Sequence, residues 1–314
     1  MARKLIIDTD PGVDDAMAIF YALNSPEFDV LGITTVFGNA SISITTRNAL
    51  RLLEIAERLD IPVAAGAEHA LTMPPRDGSE LVHGADGQGN TNLPPPSMQA
   101  VDQHAAQFMA DAIRQFPGEI TIVALGPLTN LALMFLMQPD IAPLIHEIVL
   151  MGGNAFVPGN VNPAAEANIF SDPEAADLVF GAACPVTMIG LDVTMKIYMV
   201  TEHFNQIASF DNAKARHIAR IVPHYRAFYS SRLGRDAIPV HDSTTISYLL
   251  KPSLFKVVRY AVRVETSGIS RGKTWAGLGR YPREAAWMDR PFINICVEAA
   301  ADECVRMELE RLAD

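Results

Sequence analysis

The sequence predicts an α/β fold: an open, mostly parallel sheet with helices on both faces, plus an embedded helical region. Three observations predict it. Short apolar runs of strand length alternate with helical patterns through the first two thirds of the chain, the rhythm of βαβ units. From about 195 to 250 the pattern turns mostly helical, and further strand-like runs follow it. No internal repeat, low-complexity tract or linker divides the chain, so residues 1–314 are expected to form one domain.

The elements follow in order. Leu5-Ile6-Ile7 centres a buried strand over 4–9, Pro11-Gly12 stops it, and Ala16 to Leu23 continues a helix over 14–23. Strands are then expected at 30–36, 61–64, 120–125, 147–151 and 186–190, with helices at 43–59, 101–115, 128–137 and 173–182. Later strands are expected at 256–265, 272–276 and 292–297, and a closing helix runs from Asp302 to Leu312. Two long irregular stretches interrupt the rhythm, 66–98 with Pro94-Pro95-Pro96, and 152–170 with its Gly, Asn and Pro residues. Loops of that length inside a compact fold are usually functional or disordered.

Bulk composition narrows the function. Apolar residues make up 49% and charged residues 19%, as in an ordinary globule, and the net charge of −11 argues against nucleic acid or anionic membrane as partner. Cys184, Cys296 and Cys304 show no metal-ligand spacing and fit a reducing compartment. The apolar stretch after Met1-Ala2-Arg3-Lys4 ends at Asp8, too short for a signal peptide, and no run spans a bilayer, so a cytoplasmic protein is expected.

The most informative segment is Asp8-Thr9-Asp10-Pro11-Gly12-Val13-Asp14-Asp15. Four carboxylates in eight residues repel one another unless a cation sits among them. Asp10 falls at the carboxyl end of a strand and Asp14 and Asp15 in the first turn of a helix, the edge where open α/β sheets bind ligands. Helix capping by solvated acids accounts for one or two of these residues, not for four.

Three more segments belong with it. Leu125-Gly126-Pro127-Leu128-Thr129-Asn130 ends another strand, where Gly-Pro is either plain punctuation or a turn exposing the Leu125 carbonyl. Met151-Gly152-Gly153-Asn154 leads into Asn160, Asn162, Glu166 and Asn168, which are turn formers or partners for sugar hydroxyls. In Val240-His241-Asp242-Ser243, Asp242 is either a helix cap or a ligand, and His241 titrates near physiological pH. Together, Asp10, Asp15, Asp242 and a carbonyl make an all-oxygen cage for a hard cation. Ca2+, which takes about 6–8 oxygens in flexible geometry, suits a site that must also admit water and a sugar diol better than Mg2+ does.

These motifs resemble the nucleoside hydrolases, which cleave the N-glycosidic bond of ribonucleosides, and they span nearly the whole chain in the expected order. The resemblance implies that Asp10, Asp15, Asp242 and the Leu125 carbonyl hold Ca2+, and that Asp10 is also the general base. It implies that Asp14, Asn39, Asn160, Glu166 and Asn168 bind ribose, with Met151 packed against it. His241 would assist departure of the base, as in the inosine–uridine-preferring branch. Tyr225, Tyr229 and His83 would close over the nucleobase, although two tyrosines four apart also fit helix-face packing. A homo-oligomer, a tetramer or dimer, is the implied assembly. One departure is Ala167, where an aromatic ring is often found, and it bears on the base pocket.

Two other readings carry different expectations. Asp8-Thr9-Asp10 after a strand is similar to the aspartate-nucleophile phosphohydrolases, but Gly12 stands where they need threonine or valine, and Asp86 comes too early for their later acidic motif. A non-catalytic nucleoside or sugar binder would need neither His241 nor Asp10.

Overall fold

The structure, a computed structural model, describes residues 2–73, 80–279 and 285–314. Part of the 66–98 stretch, residues 74–79, lies outside the described residues, as does Met1.

The chain runs β1 (Arg3–Thr9), α1 (Val13–Leu23), β2 (Phe28–Thr35), α2 (Ile42–Ile55), β3 (Val63–Ala65), α3 (Glu80–His83), α4 (Ala105–Gln115), β4 (Ile120–Ala124), α5 (Thr129–Met137) and β5 (Glu147–Met151). It continues through α6 (Ala167–Ser171), α7 (Pro173–Phe180), β6 (Val186–Ile189), α8 (Leu191–Thr194), β7 (Tyr198–Val200), α9 (Thr201–Ser209), α10 (Ala213–Leu233), β8 (Ala237–Pro239) and α11 (Ser243–Leu250). The last elements are β9 (Phe255–Val264), β10 (Thr274–Ala276), α12 (Ala285–Met288), β11 (Phe292–Ala299) and α13 (Ala301–Leu312).

Among the described residues, nine strands form one sheet in the order β3-β2-β1-β4-β5-β6-β11-β9-β10. Pairing is parallel from β3 to β11 and antiparallel at β11–β9 and β9–β10. The predicted sheet is therefore observed, with its antiparallel pairs confined to one edge.

Strand alternation builds a core on each face. Leu5 and Ile7 of β1 point to the layer of α1, α10, α11 and α13, while Ile6 points to the layer of α4, α5 and α7. Both faces of β1 are covered, which is why its sequence reads as a continuous apolar run.

Local departures from the expected boundaries have local causes. α2 ends at Ile55 rather than 59, because Glu57 takes a left-handed φ of 56°. α4 starts at Ala105 rather than 101: Val101 bridges to Ala64, and His104 caps the helix by accepting the Ala106 N–H. The helical region between 195 and 250 also contains a two-stranded antiparallel ribbon, β7 with β8, which the sequence pattern does not announce.

The topology positions the site. β1 lies between β2 and β4, so the strand order reverses there, and the crevice outside the carboxyl ends of these strands is the standard ligand position. Asp8 is in register with Ala124, and the Leu125 N–H donates to the Asp8 carbonyl at 2.8 Å. Asp10 and Leu125 thus leave adjacent strands side by side.

Candidate active site

The turn Asp10-Pro11-Gly12 connects β1, which ends at Thr9, to α1, and this stretch sets the aspartates one by one. Asp15, in the first turn of α1, accepts from the Gly12 N–H at 2.9 Å, the Thr9 hydroxyl at 2.5 Å and the Asn39 side chain at 3.0 Å. Asp10 accepts the Asn39 backbone N–H on Oδ2 at 2.7 Å. Its Oδ1 is buried without a hydrogen-bond partner among the described residues, and so is Asp14 Oδ1. A Cβ at Gly126 would stand 2.6 Å from Asp10 Oδ1, and one at Gly38 would strike Oδ2. Glycine is required on both sides of this carboxylate because the backbone comes so close.

Asp242 comes from the far end of the chain. It occupies the N-cap of α11, yet its carboxylate makes no capping hydrogen bond. It meets Asp14 and Asp15 instead: each of the three offers an oxygen, and those oxygens lie within 4.8 Å of one another. Acidic groups from both ends of the chain do converge, but this trio has Asp14 where Asp10 was expected, and Asp10 lies outside it.

The electrostatics follow from that crowding. Burial raises the Asp10 carboxyl well above the usual range, and the charges of Asp15 and Asp14 add to the effect. Burial lifts Asp14 to about 6, and burial with the Asp14 charge lifts Asp15 to about 6. Asp242 is raised by burial, then by Asp14, Asp15, Asp10 and Glu166. The orphaned oxygens, the all-oxygen donor set and this repulsion fit a hard cation, which would relieve all three at once.

A cleft opens over this cluster, lined by Asp14, Asn39, Leu125, Met151, Asn160, Glu166, Asn168, Tyr225, Tyr229, His241 and Asp242. Val82, Val161, Ala167, Met195, Phe228, Arg232 and Leu233 complete the wall. Asp10 and Asp15 are buried beside these residues. His83 does not line the cleft: its Nδ1 accepts the Val13 N–H at 3.2 Å, and its ring packs 5.3 Å from Tyr225.

The second irregular stretch folds back on the sheet edge. Glu166 is the N-cap of α6 and accepts from Asn168, Ile169 and Gly153 backbone N–H groups at 2.9, 3.1 and 2.9 Å. The Asn168 amide donates to the carbonyls of Leu125 at 2.6 Å and Met151 at 3.1 Å. Asn160 Oδ1 takes the Ala167 N–H at 3.0 Å, and the Asn160 carbonyl takes Arg232 at 2.6 Å.

On the opposite wall, the Tyr225 hydroxyl donates to Asp14 Oδ2 at 2.9 Å and the Tyr229 hydroxyl stands 3.1 Å from His241 Nε2. The tyrosine rings pack edge to face at 4.9 Å, and both also line the cleft. Burial lowers the His241 pKa to about 4.

Two residues of this site escape sequence reasoning, and a third, Asn130, is named there only as part of its segment. Thr194 on α8 places its hydroxyl 2.9 Å from His241 Nδ1. Asp192, on the same short helix, holds the Ala155 and Phe156 N–H groups at 2.8 and 2.7 Å and so anchors the loop after β5. Asn130 ties Asp8, the Thr35 carbonyl and the Ala67 N–H together. The available signal was position: α8 follows β6 at the same sheet edge as the aspartates.

The sequence profile of the inosine-uridine preferring nucleoside hydrolases matches residues 5–306. The chain is 43% identical to a probable uridine nucleosidase 2 of Arabidopsis thaliana, over 99% of this chain and 98% of that one. It is 42% identical to a pyrimidine-specific ribonucleoside hydrolase RihA of Shewanella sp. (strain MR-7), over 87% and 86% of the two chains. Among solved structures, the plant nucleoside hydrolase PpNRh1 superposes with a TM-score of 0.96 at 38% identity, covering 100% of this chain and 99% of that one. A purine-preferring ribonucleoside hydrolase from Gardnerella vaginalis superposes at 0.92 with 31% identity, over 99% and 98%. Sheet order, aspartate cluster and whole-length similarity agree, and the chain belongs to the inosine-uridine preferring nucleoside hydrolase family.

Proposed function

We propose that the ribonucleoside hydrolysis this chain performs as a family member is Ca2+-dependent and directed first at uridine. The observation that carries the metal part is the cluster of Asp14, Asp15 and Asp242 beside the orphaned Asp10 Oδ1. Relatives above 40% identity named for uridine or pyrimidine nucleosides support the substrate, whereas the purine-preferring structure is 31% identical.

In this reading Asp10, Asp15, Asp242 and the second lone pair of the Leu125 carbonyl hold the cation. When bound, Ca2+ supplies Lewis acidity toward a nucleophilic water and an anchor for two vicinal hydroxyls.

The chain's own groups do the rest. Asp10 is also the acceptor for the water's proton, its buried carboxylate approached closely by the backbone of Gly126 at Oδ1 and of Gly38 at Oδ2. Asp14 Oδ1, Asn39, Asn160 and Asn168 face ribose hydroxyls, and Met151 packs against the sugar. The Glu166 carboxylate, fixed by three backbone N–H groups, favours positive charge developing on the ribose in an oxocarbenium-like transition state. His241, which burial keeps mainly neutral, must take up a proton before it delivers one to the departing base, whose ring rests against Tyr225 and Tyr229. His83 backs that wall through Tyr225.

The test is ribose release from uridine, inosine, adenosine and 2′-deoxyuridine, with and without chelator. Uridine is expected to lead, 2′-deoxyuridine to fail, and chelation to abolish turnover; release indifferent to chelation removes the metal from the mechanism.

We further infer a cytoplasmic homo-oligomer. Free Cys184, Cys296 and Cys304 support a reducing compartment. No helix among the described residues is long and apolar enough to cross a membrane. Trp275 and Phe292, about half exposed near the antiparallel edge of the sheet, support self-association. Light scattering on the eluting protein measures its mass.

A further inference from the structure

The turn that carries His241 and Asp242 is followed by three hydroxyl residues, Ser243-Thr244-Thr245, and each hydroxyl pins something different. The Thr244 hydroxyl donates to the Val240 carbonyl at 2.6 Å and the Thr245 hydroxyl to the Asp242 carbonyl at 2.7 Å. Both pins are local, spanning four residues or fewer. The Ser243 hydroxyl instead donates at 2.7 Å to Glu308 Oε1, 65 residues away on α13. It is the pin that fastens the start of α11 to another part of the fold.

Glu308 is an unexpected group to find there. Its side chain is 0% exposed, and its second oxygen, Oε2, has no hydrogen-bond partner among the described residues. A buried polar atom left bare costs stability. A leucine would fill similar space on this amphipathic helix without that cost. The carboxyl is raised to about 8 by burial, so it sits there mainly neutral and adds little repulsion to the acidic cluster.

Next to Ser243 stands a carboxylate that makes no hydrogen bond of its own among the described residues. Asp242 spends none of its side chain on capping α11, although aspartate is among the best N-caps. Its direction therefore depends on where the first turn of α11 is held. α13 lies against both α11 and α1, the helix that carries Asp14 and Asp15, so one helix is in contact with both elements that supply the acidic trio.

We propose that Glu308 is a positioning residue for Asp242, acting through the Ser243 hydroxyl to keep that carboxylate in register with Asp14 and Asp15. The proposal rests on the reading of this cluster as a Ca2+ site. Groups that orient metal ligands from behind typically govern about 10–100-fold in affinity.

The test is calorimetric titration of CaCl2 into chelator-stripped protein, with thermal melting as the control for folding. Glu308→Leu and Ser243→Ala are each expected to weaken Ca2+ about 10-fold, and the double variant no more than either alone, since both remove one interaction. Glu308→Gln, whose carboxamide oxygen still accepts from Ser243, restores wild-type affinity. Single variants that bind Ca2+ like the wild type, or losses that simply add in the double variant, overturn the role of Glu308. Stripped wild-type protein that takes up no Ca2+ overturns the metal reading and this inference with it. If Glu308→Leu does not fold, Ser243→Ala and Glu308→Gln carry the test alone.

Discussion

Thr194 Oγ1 stands 2.9 Å from His241 Nδ1, and with Tyr229 on Nε2 at 3.1 Å it engages both nitrogens of the one buried imidazole at the cleft. The hydroxyl is itself fully buried, so the ring is held in one orientation from behind. Thr194→Val keeps the shape and removes the hydrogen bond. Turnover of uridine is expected to fall about 10-fold or more, with Thr194→Ser recovering most of it. A riboside with a phenolate leaving group needs no proton and should be cleaved by both variants like the wild type.

His241→Ala extends the same logic to the proposed proton donor. General acid assistance is worth about 10²–10⁴-fold, so uridine hydrolysis should drop by that range while the activated phenolate riboside is spared. Steady-state rates on the two substrates measure it. Equal losses on both would make the imidazole a packing group.

Much of this was legible in the sequence, and the reason is physical. Strands covered on both faces must be apolar throughout, so Leu5-Ile6-Ile7 and its parallel neighbours announce themselves. Clustered carboxylates announce themselves because nothing in ordinary folding calls for four in eight residues. Glu308 is the opposite case: on the closing helix it looks like one more surface charge beside Glu303 and Glu310, and only packing against α11 shows it buried. The β7–β8 ribbon was hidden because three-residue strands leave too short a pattern inside a helical stretch. Thr194 was hidden because a hydroxyl carries no pattern until its partner is known.

Metal removal should be visible in stability as well as activity. A ligand that binds only the folded state stabilises by about 2.7 kcal/mol at 100 times its Kd. Stripped protein is therefore expected to melt several degrees below protein in excess CaCl2. Asp242→Asn should lose most of that increment, because it removes one carboxylate of the trio. A melting curve of the variant that still responds fully to CaCl2 would place the cation elsewhere.

Glu308 also makes a prediction about pH. Burial raises its carboxyl from 4.5 to about 8. The folded state thus holds a proton that the unfolded state has released between those values. The stabilising contribution is full below about pH 4.5 and is lost as pH rises through about 8, where the chain must bury a charge with Ser243 as its one hydrogen-bond partner among the described residues. Glu308→Gln does not titrate and escapes that loss. Wild type and variant, both in excess CaCl2, should melt nearly together at pH 5. By pH 9 the variant should be the more stable, by roughly 2 kcal/mol or more, since a tenfold difference in proton affinity between folded and unfolded chains is worth about 1.4 kcal/mol. A difference in melting temperature that stays flat from pH 5 to 9 would show the carboxyl already ionised at neutral pH, with a partner for its second oxygen.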